Sequence, residues 1–424
     1  MRYFFILGTN PVLSTAEIIA LLDGRQFTVT EMYKQAVIVD ALPGYTLDAK
    51  ALMSRLGGTI KIGTVLAEDL SPDADALEEQ ALQGLSDRVA NIGNATFGFS
   101  IYSLETDKPS NKAATLNAKF RDVGMRVKRK LQQAGCAARW VKAQTGTALT
   151  SATVGKNNML NDGAEFVVLA KEKSMVFGRT DVIQPFEEFS LVDYGRPVRD
   201  TVQGMLPPKL ARIMINLIHV SREVTSVTLM DPFCGSGTVL TEALQMGFRE
   251  LYGSDKNPDA VYATQKNIDW LKEKGLVTGD TGHVALFASD ARNIAQQVKP
   301  QTLDAIVTEP YLGPNRTGSE TRGELQKRLS ELTKLYYESL AAWRPLLKPD
   351  APVVMAMPVY ILGNEKHGIV AREFENLGYR PEALLPGPIL SRMGVRETKN
   401  HGLLYGRNDQ RVWREIVRLR LSTQ

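Results

Sequence analysis

The sequence predicts an α/β protein whose C-terminal half is a doubly wound, mostly parallel sheet with an antiparallel last strand, preceded by an α+β region. Three observations carry that expectation. Apolar strand-like runs recur at Leu229 to Asp231, Leu251 to Asp255, Leu303 to Val307 and Val353 to Met357, with stretches of helical spacing between them. A glycine turn, Asp231-Pro-Phe-Cys-Gly-Ser-Gly-Thr238, joins the first run to the helix pattern of Val239, Leu240, Ala243 and Leu244. An acid, Asp255, closes the second run, about 20 residues past the first glycine, the spacing at which a carboxylate meets ribose hydroxyls in such folds.

The elements follow in order. Gly247 stops the first helix, and Asn257-Pro258-Asp259 supplies an N-cap, a first-turn proline and an early acid for a helix running towards Gly275. A longer helix from Glu324 to about Leu346 turns Leu325, Leu329, Leu332, Leu335, Tyr336 and Leu340 inward before Leu347-Lys348-Pro349 ends it. Another is expected from Gly368 to Leu377, then closing strands near Leu384 and from Arg411 to Leu421.

Composition sets limits. At 424 residues, 43% hydrophobic and 23% charged, the chain has room for two or three cores. No run nears the about 18 apolar residues of a membrane span, and Tyr3 to Leu7 reads as a buried strand rather than a signal region. The two cysteines, Cys136 and Cys234, form no disulfide framework or metal quartet and fit a reducing cytoplasm. Cys234 reads as a small packing residue within the loop. The four histidines, His219, His283, His367 and His401, lack ligand spacing, so no metal is expected.

Net charge is only +4, yet the bases cluster. Between Lys119 and Lys142 stand Arg121, Arg126, Lys128, Arg129, Lys130 and Arg139 against the single acid Asp122. Phe120, Val123, Val127 and Leu131 form the inward stripe of a helix ended by Gly135, with the bases outward. Arg126, Lys128, Arg129, Lys130, Arg139 and Lys142 are the candidate RNA-binding residues.

The glycine turn resembles the first cofactor motif of S-adenosylmethionine-dependent amino-methyltransferases that act on nucleic acids. The resemblance implies a Rossmann-like methyltransferase core in which Asp231, Phe233, Gly235, Gly237 and Thr238 bind the cofactor and Asp255 holds its ribose. Asp290, with Ala291 beside it, would meet the adenine amino group. Related enzymes carry an acid or amide, two prolines and an aromatic residue at the end of the fourth strand, where acceptors polarise an exocyclic amine towards the sulfonium methyl. Here that place reads Thr308-Glu309-Pro310-Tyr311-Leu312-Gly313. Aligned without gaps, Glu309 takes the acid's place, one methylene longer than Asp. The alternative keeps Pro310 and Tyr311 in register with proline and aromatic and puts Thr308 there. Glu309, Pro310 and Tyr311 are the candidate catalytic residues, and the loop Asn315 to Ser319 is suited to move over a base.

Upstream, Phe97 to Tyr102, the basic helix, Arg139 to Val141, Leu149 to Val154, Glu165 to Leu169 and Val176 to Thr180 resemble in order a THUMP domain, a module of tRNA-modifying enzymes. The segment Phe189 to Asp200, then Gly204 to Ala211, resembles the joining segment of archaeal and eukaryotic tRNA guanosine N2-methyltransferases that modify position 10, with Val192 where an arginine is usual. These resemblances imply an α+β domain at 1–95, a THUMP-like domain at 96–185, a linker at 186–205 and the methyltransferase domain at 206–424. They imply a cytoplasmic enzyme methylating guanine N2 in tRNA, with a small activator subunit as a possible partner. DNA or ribosomal RNA as substrate stays open, as does an RNA-binding relative with weakened catalysis.

Overall fold

The computed structural model describes all residues except Asp23, 105–108, 200–204, Ser221, Thr278, Asp280 and 423–424, and for 87–92 and 109–110 it describes the backbone alone. Asp200 and Gly204 of the expected linker thus lie outside the described residues. The chain forms two compact units, Met1–Phe186 with Pro388–Val395, and Glu187–Gly387 with Arg396–Gln424.

The first unit is built on one eight-stranded sheet in the order β2-β3-β1-β4-β8-β7-β5-β6. Its strands are β1 (Arg2–Leu7), β2 (Phe27–Met32), β3 (Ala36–Ala41), β4 (Thr59–Leu70), β5 (Asn94–Ser103), β6 (Ala137–Val141), β7 (Gly163–Ala170) and β8 (Met175–Ile183). Helices α1 (Pro11–Leu22), α2 (Ala49–Arg55), α3 (Ala74–Ile92), α4 (Pro109–Lys119), α5 (Val123–Gln133), α6 (Ser151–Lys156) and α7 (Met159–Asp162) complete it. The expected division at 95/96 cuts through this sheet, because β4 pairs antiparallel with β8. A buried network crosses the same line: Glu165 of β7 pairs with Lys61 of β4, both side chains fully buried, and accepts from Thr180 of β8 at 2.7 Å. Lys61 also donates to the Leu149 carbonyl at 2.7 Å. Breaking such a pair would strand a buried charge, so 1–95 and 96–185 hold together as one body.

The basic segment folds as expected into α5, whose Val123, Val127 and Leu131 are buried and whose end is followed by Gly135 at φ +83°. Leu149 to Val154 is not extended. Thr150 caps α6, its hydroxyl accepting from the Thr153 N–H at 3.1 Å, a signal of the N-cap kind that outweighs the β-branched composition.

The second unit begins inside the expected linker, since Phe186–Gly195 is helix α8 with Phe189 and Val192 buried. Helix α9 (Pro208–Asn216) starts after the prolines, as the sequence predicts. The sheet then runs β11-β10-β9-β12-β13-β17-β15, with β9 (Thr228–Asp231), β10 (Glu250–Asp255), β11 (His283–Ala288), β12 (Ala305–Thr308), β13 (Pro352–Leu362), β15 (Tyr379–Glu382) and β17 (Val412–Leu421). Two short strands, β14 (Glu365–Gly368) and β16 (Leu403–Tyr405), pair with β13 and β17. Neighbours from β11 to β13 are parallel, and β17 is antiparallel to both β13 and β15. This is the doubly wound sheet with an antiparallel closing strand that the sequence predicts. Helices α10 (Thr238–Gln245), α11 (Pro258–Glu273) and α12 (Arg322–Trp343) connect the parallel strands, whereas α13 (Gly387–Arg392) belongs almost entirely to the Pro388–Val395 segment of the first unit. Trp343, Tyr336, Tyr360 and Tyr379 are among the largest fully buried side chains.

One helix is displaced from its expected place. Gly368 closes β14, and a 3-10 turn covers only Ala371–Leu377. Val359 pairs across to Gly368, so the hairpin claims residues the helix would have needed.

Candidate active site

Strand order reverses at β9, with β10 on one side and β12 on the other, and a crevice at the carboxyl ends of such strands is the usual ligand position in open α/β sheets. The candidate residues come from those ends: Asp231 from β9, Asp255 from β10, Asp290 just beyond β11 and Glu309 just beyond β12.

The glycine loop is shaped by backbone requirements. Gly235 and Gly237 have φ of +53° and +83°, conformations that side chains disfavour. A Cβ at Gly237 would meet Thr264 at 2.7 Å, whereas one at Gly235 would enter open space. Gly237 thus lets the loop lie on α11, and Gly235 leaves room beside a helix start. Cys234 is buried, its backbone N–H donating to the Ser254 carbonyl at 2.8 Å, and burial pushes its thiol far up; it is a packing residue. Phe233 meets Trp343 edge to face with ring centroids 6.2 Å apart.

Asp255 receives the Gly235 N–H at 3.1 Å and the Asn257 N–H at 2.9 Å, so the acid and the loop form one part-exposed rim. Asp231 is only 2% exposed. Its Oδ1 accepts from the Phe233 N–H at 3.1 Å and the Thr308 hydroxyl at 2.6 Å. Burial, aided by the charges of Asp255 and Glu309, pushes its ionisation up to about 7. Asp231 therefore braces the loop from within, and Thr238, 6% exposed, receives Arg196 at 2.9 Å. Asp290 is engaged by Arg292: Oδ1 accepts from its backbone N–H at 3.0 Å and its Nε at 2.9 Å, Oδ2 from Nη2 at 2.8 Å. Those bonds hold the carboxyl down at about 2 and leave Oδ2 with acceptor capacity. The Ala291 carbonyl accepts from the Trp343 indole at 2.9 Å.

Beyond β12 the backbone is held by hydroxyls. Tyr336 of α12 donates to the Tyr311 carbonyl at 2.8 Å, and Tyr360 of β13 to the Leu312 carbonyl at 2.9 Å. Burial pushes both phenols up, keeping them donors. Gly313, at φ +94°, has no room for a Cβ, which would stand 2.2 Å from the Tyr360 hydroxyl. The Glu309 carboxylate pairs with Arg414 of β17, both side chains being nearly buried, and Tyr311 is 44% exposed. The following loop is pinned as well. Glu320 accepts from the Thr317 and Gly318 N–H groups at 2.8 and 2.9 Å, and Arg316 donates to the Ile361 carbonyl at 2.5 Å. Asn315 to Ser319, the loop expected to move over a base, carries these contacts in the described structure.

In the first unit the basic residues divide. Arg126 pairs with Asp75 and Glu78, and Lys130 with Glu78 at 2.8 Å. The Glu78 side chain is 3% exposed, so these two bases fasten α5 to α3 while their own side chains stay outward, Lys130 at 59% and Arg126 at 39% exposure. Arg129, Arg139 and Lys142 are exposed and Lys128 half-buried. Lys142 lies 4.2 Å from the Trp140 ring centroid.

Sequence reasoning missed Arg414, Arg196, Tyr336, Tyr360 and Trp343 as parts of the site. Arg414 lies 105 positions from Glu309, and only the β13–β17 pairing, which sets Arg414 opposite Pro358, brings it near.

Comparison with known proteins agrees with this architecture. A family model described as RMKL-like, methyltransferase domain, matches residues 196–344. The tRNA (guanine(10)-N2)-dimethyltransferase of Pyrococcus abyssi is 35% identical over 126 residues, 30% of this chain and 34% of that protein. The corresponding enzyme of Methanothermobacter thermautotrophicus is 34% identical over 158 residues, 37% of this chain and 40% of that protein. The chain thus spans 34% and 40% of the length of these curated relatives. A probable tRNA (guanine(10)-N2)-dimethyltransferase of Methanothermococcus thermolithotrophicus is 32% identical over 126 residues, 30% of this chain and 74% of that protein. With the glycine loop, the ordered strand-end acids and this coverage in hand, the chain belongs to the tRNA (guanine(10)-N2)-dimethyltransferase family.

Proposed function

We propose that this chain transfers a methyl group from S-adenosylmethionine to an exocyclic amine, guanine N2 of tRNA at a position-10 type site. The observation that carries the reading is the convergence of the Gly235 loop, Asp255 and the Glu309-Pro310 segment on the carboxyl ends of β9, β10 and β12. The residues present fit the donor: the space beside Gly235 is open, Asp255 stands part-exposed at its rim, and Asp290 keeps acceptor capacity. S-adenosylmethionine supplies an electrophilic methyl on a sulfonium with a neutral leaving group, so no metal is needed. Asp255 accepts ribose hydroxyls, while Glu309 and the Pro310 carbonyl, which accepts no hydrogen bond from the described residues, take the hydrogens of the target NH2 and aim its lone pair. Tyr311, half-exposed, offers a stacking face to a base withdrawn from its helix.

The first unit would grip tRNA as a THUMP-like module through Lys128, Arg129, Arg139 and Lys142. The enzyme would work in the cytoplasm, with an activator subunit as a possible partner; no helix among the described residues is long and apolar enough to cross a membrane. One observation favours a second reading, an RNA-binding relative with weakened catalysis: the Glu309 carboxylate is already tied to Arg414. Methyl transfer to unmodified tRNA, with mass mapping of the product nucleoside, separates the two. Turnover of wild type and its loss in Glu309→Ala support the enzyme; donor and tRNA binding without turnover supports the relative.

A further inference from the structure

Glu309 stands where amine polarisation calls for a shorter acid, and its extra methylene adds a rotatable bond at the point where geometry matters most. An unrestrained glutamate would spread its carboxylate over several rotamers, each a different distance from the amine. The structure removes that freedom. Arg414 projects from β17, and its Nε donates to Oε1 of Glu309 while Nη2 reaches Oε2 at 3.3 Å. The side chains are 12% and 14% exposed, so the pair is screened less than a surface bridge. Among the described residues, each side chain has the other as its only hydrogen-bond partner.

The two interactions are unequal in kind. At 3.3 Å the bond to Oε2 lies beyond the usual N–H···O range, so Oε2 keeps its acceptor capacity while Oε1 is anchored. Each carboxylate oxygen has more than one lone pair, so Oε2 can accept an incoming N–H while the guanidinium holds the group. Asp231 bears on the same point. Its Oδ1 is taken up by the Phe233 N–H and the Thr308 hydroxyl, so the partner of the Glu309 carboxylate is the Arg414 guanidinium.

We propose that Arg414 is a positioning residue for methyl transfer, holding the longer Glu309 side chain in one rotamer so that Oε2 meets the target amine as a shorter acid would. This rests on the methyltransferase reading above. In the transfer the amine lone pair forms the new N–C bond, the C–S pair stays on sulfur, and the nitrogen releases one proton to solvent. Arg414 touches none of these atoms.

The test is a double-mutant cycle in the full chain: Arg414→Gln and Arg414→Lys, each in the wild-type and Glu309→Asp backgrounds. Readouts are kcat and KM for unmodified tRNA, donor affinity by calorimetry and thermal melting. Arg414→Gln should lower kcat about tenfold or more while tRNA KM and donor affinity stay within about twofold, the signature of an effect confined to the transition state. Arg414→Lys should recover part of that loss. In the Glu309→Asp background, where the acid is one methylene shorter and stands farther from the fork, Arg414→Gln should cost less than about threefold. Equal losses in both backgrounds, or a kcat within about twofold of wild type, overturn the proposal. If Arg414→Gln fails to fold, the two Lys variants complete the cycle. Wild-type protein that binds the donor yet methylates no RNA sinks the methyltransferase reading and this role together; an active wild type indifferent to Arg414 sinks this role alone.

Discussion

The hydroxyl of Thr308 donates to the carboxylate of Asp231 at 2.6 Å, tying the strand that ends in the candidate amine acceptor to the strand that opens the glycine loop. Thr308→Val keeps the shape and removes the donor. Leaving a buried acid short of one hydrogen bond should cost roughly 1–3 kcal/mol in denaturant unfolding, and donor affinity in calorimetry should fall with it because the loop loses its brace.

Asp231 itself makes stability depend on pH. Its folded ionisation is raised to about 7 from an unfolded value of about 4, so the neutral form favours the fold. That stabilisation is complete below the unfolded value and is lost as pH rises through about 7. Asp231→Asn, which accepts the same two hydrogen bonds and cannot ionise, should melt later than wild type at about pH 8 and show little gain at about pH 4. A constant difference across that range contradicts the assignment.

Gly235 and Gly313 should separate binding from folding. At Gly235 a Cβ meets nothing, so Gly235→Ala should lower stability by only about 1–2 kcal/mol, the cost of the left-handed backbone, while donor affinity drops sharply as the methyl enters the ligand's space. At Gly313 the Cβ would strike the Tyr360 hydroxyl. Gly313→Ala should therefore impair both stability and turnover, and adding Tyr360→Phe should restore part of the stability only.

Charge removal should split the basic residues of the first unit into two kinds. Arg129→Ala, Arg139→Ala and Lys142→Ala together should weaken tRNA binding and reduce its salt slope by about 0.7–0.9 for each phosphate no longer neutralised. Arg126→Ala should act on stability instead, because Glu78, 3% exposed, would be left short of a cation. Filter binding across a salt series and thermal melting read the two effects independently.

The core was legible because its signals are local. Asn257 caps α11 as the dipeptide with Pro258 implies, accepting from the Asp259 N–H at 3.0 Å, and glycines with positive φ stand at the turns the sequence marks. What escaped depends on pairing between distant segments. Nothing near Lys61 announces a partner 104 residues away, so the sequence alone places a boundary at 95/96 that the sheet crosses. That Arg126 and Lys130 also pair with acids is hidden from the sequence because Asp75 and Glu78 sit on another helix. The site shows the same pattern: Glu309, Asp255 and the glycines follow from motif and spacing, whereas Arg414 and the two tyrosine clamps follow only from the order of strands.

The pairing of β4 with β8 bears on how this protein can be taken apart. A fragment excised as 96–185 would strip β8 of its neighbour, leaving a row of unsatisfied amides and carbonyls open along its length and Glu165 without its lysine. Such a piece should self-associate through that bare edge, whereas a cut after Phe186 keeps every rung of the ladder and gives up only the Pro388–Val395 segment of that unit.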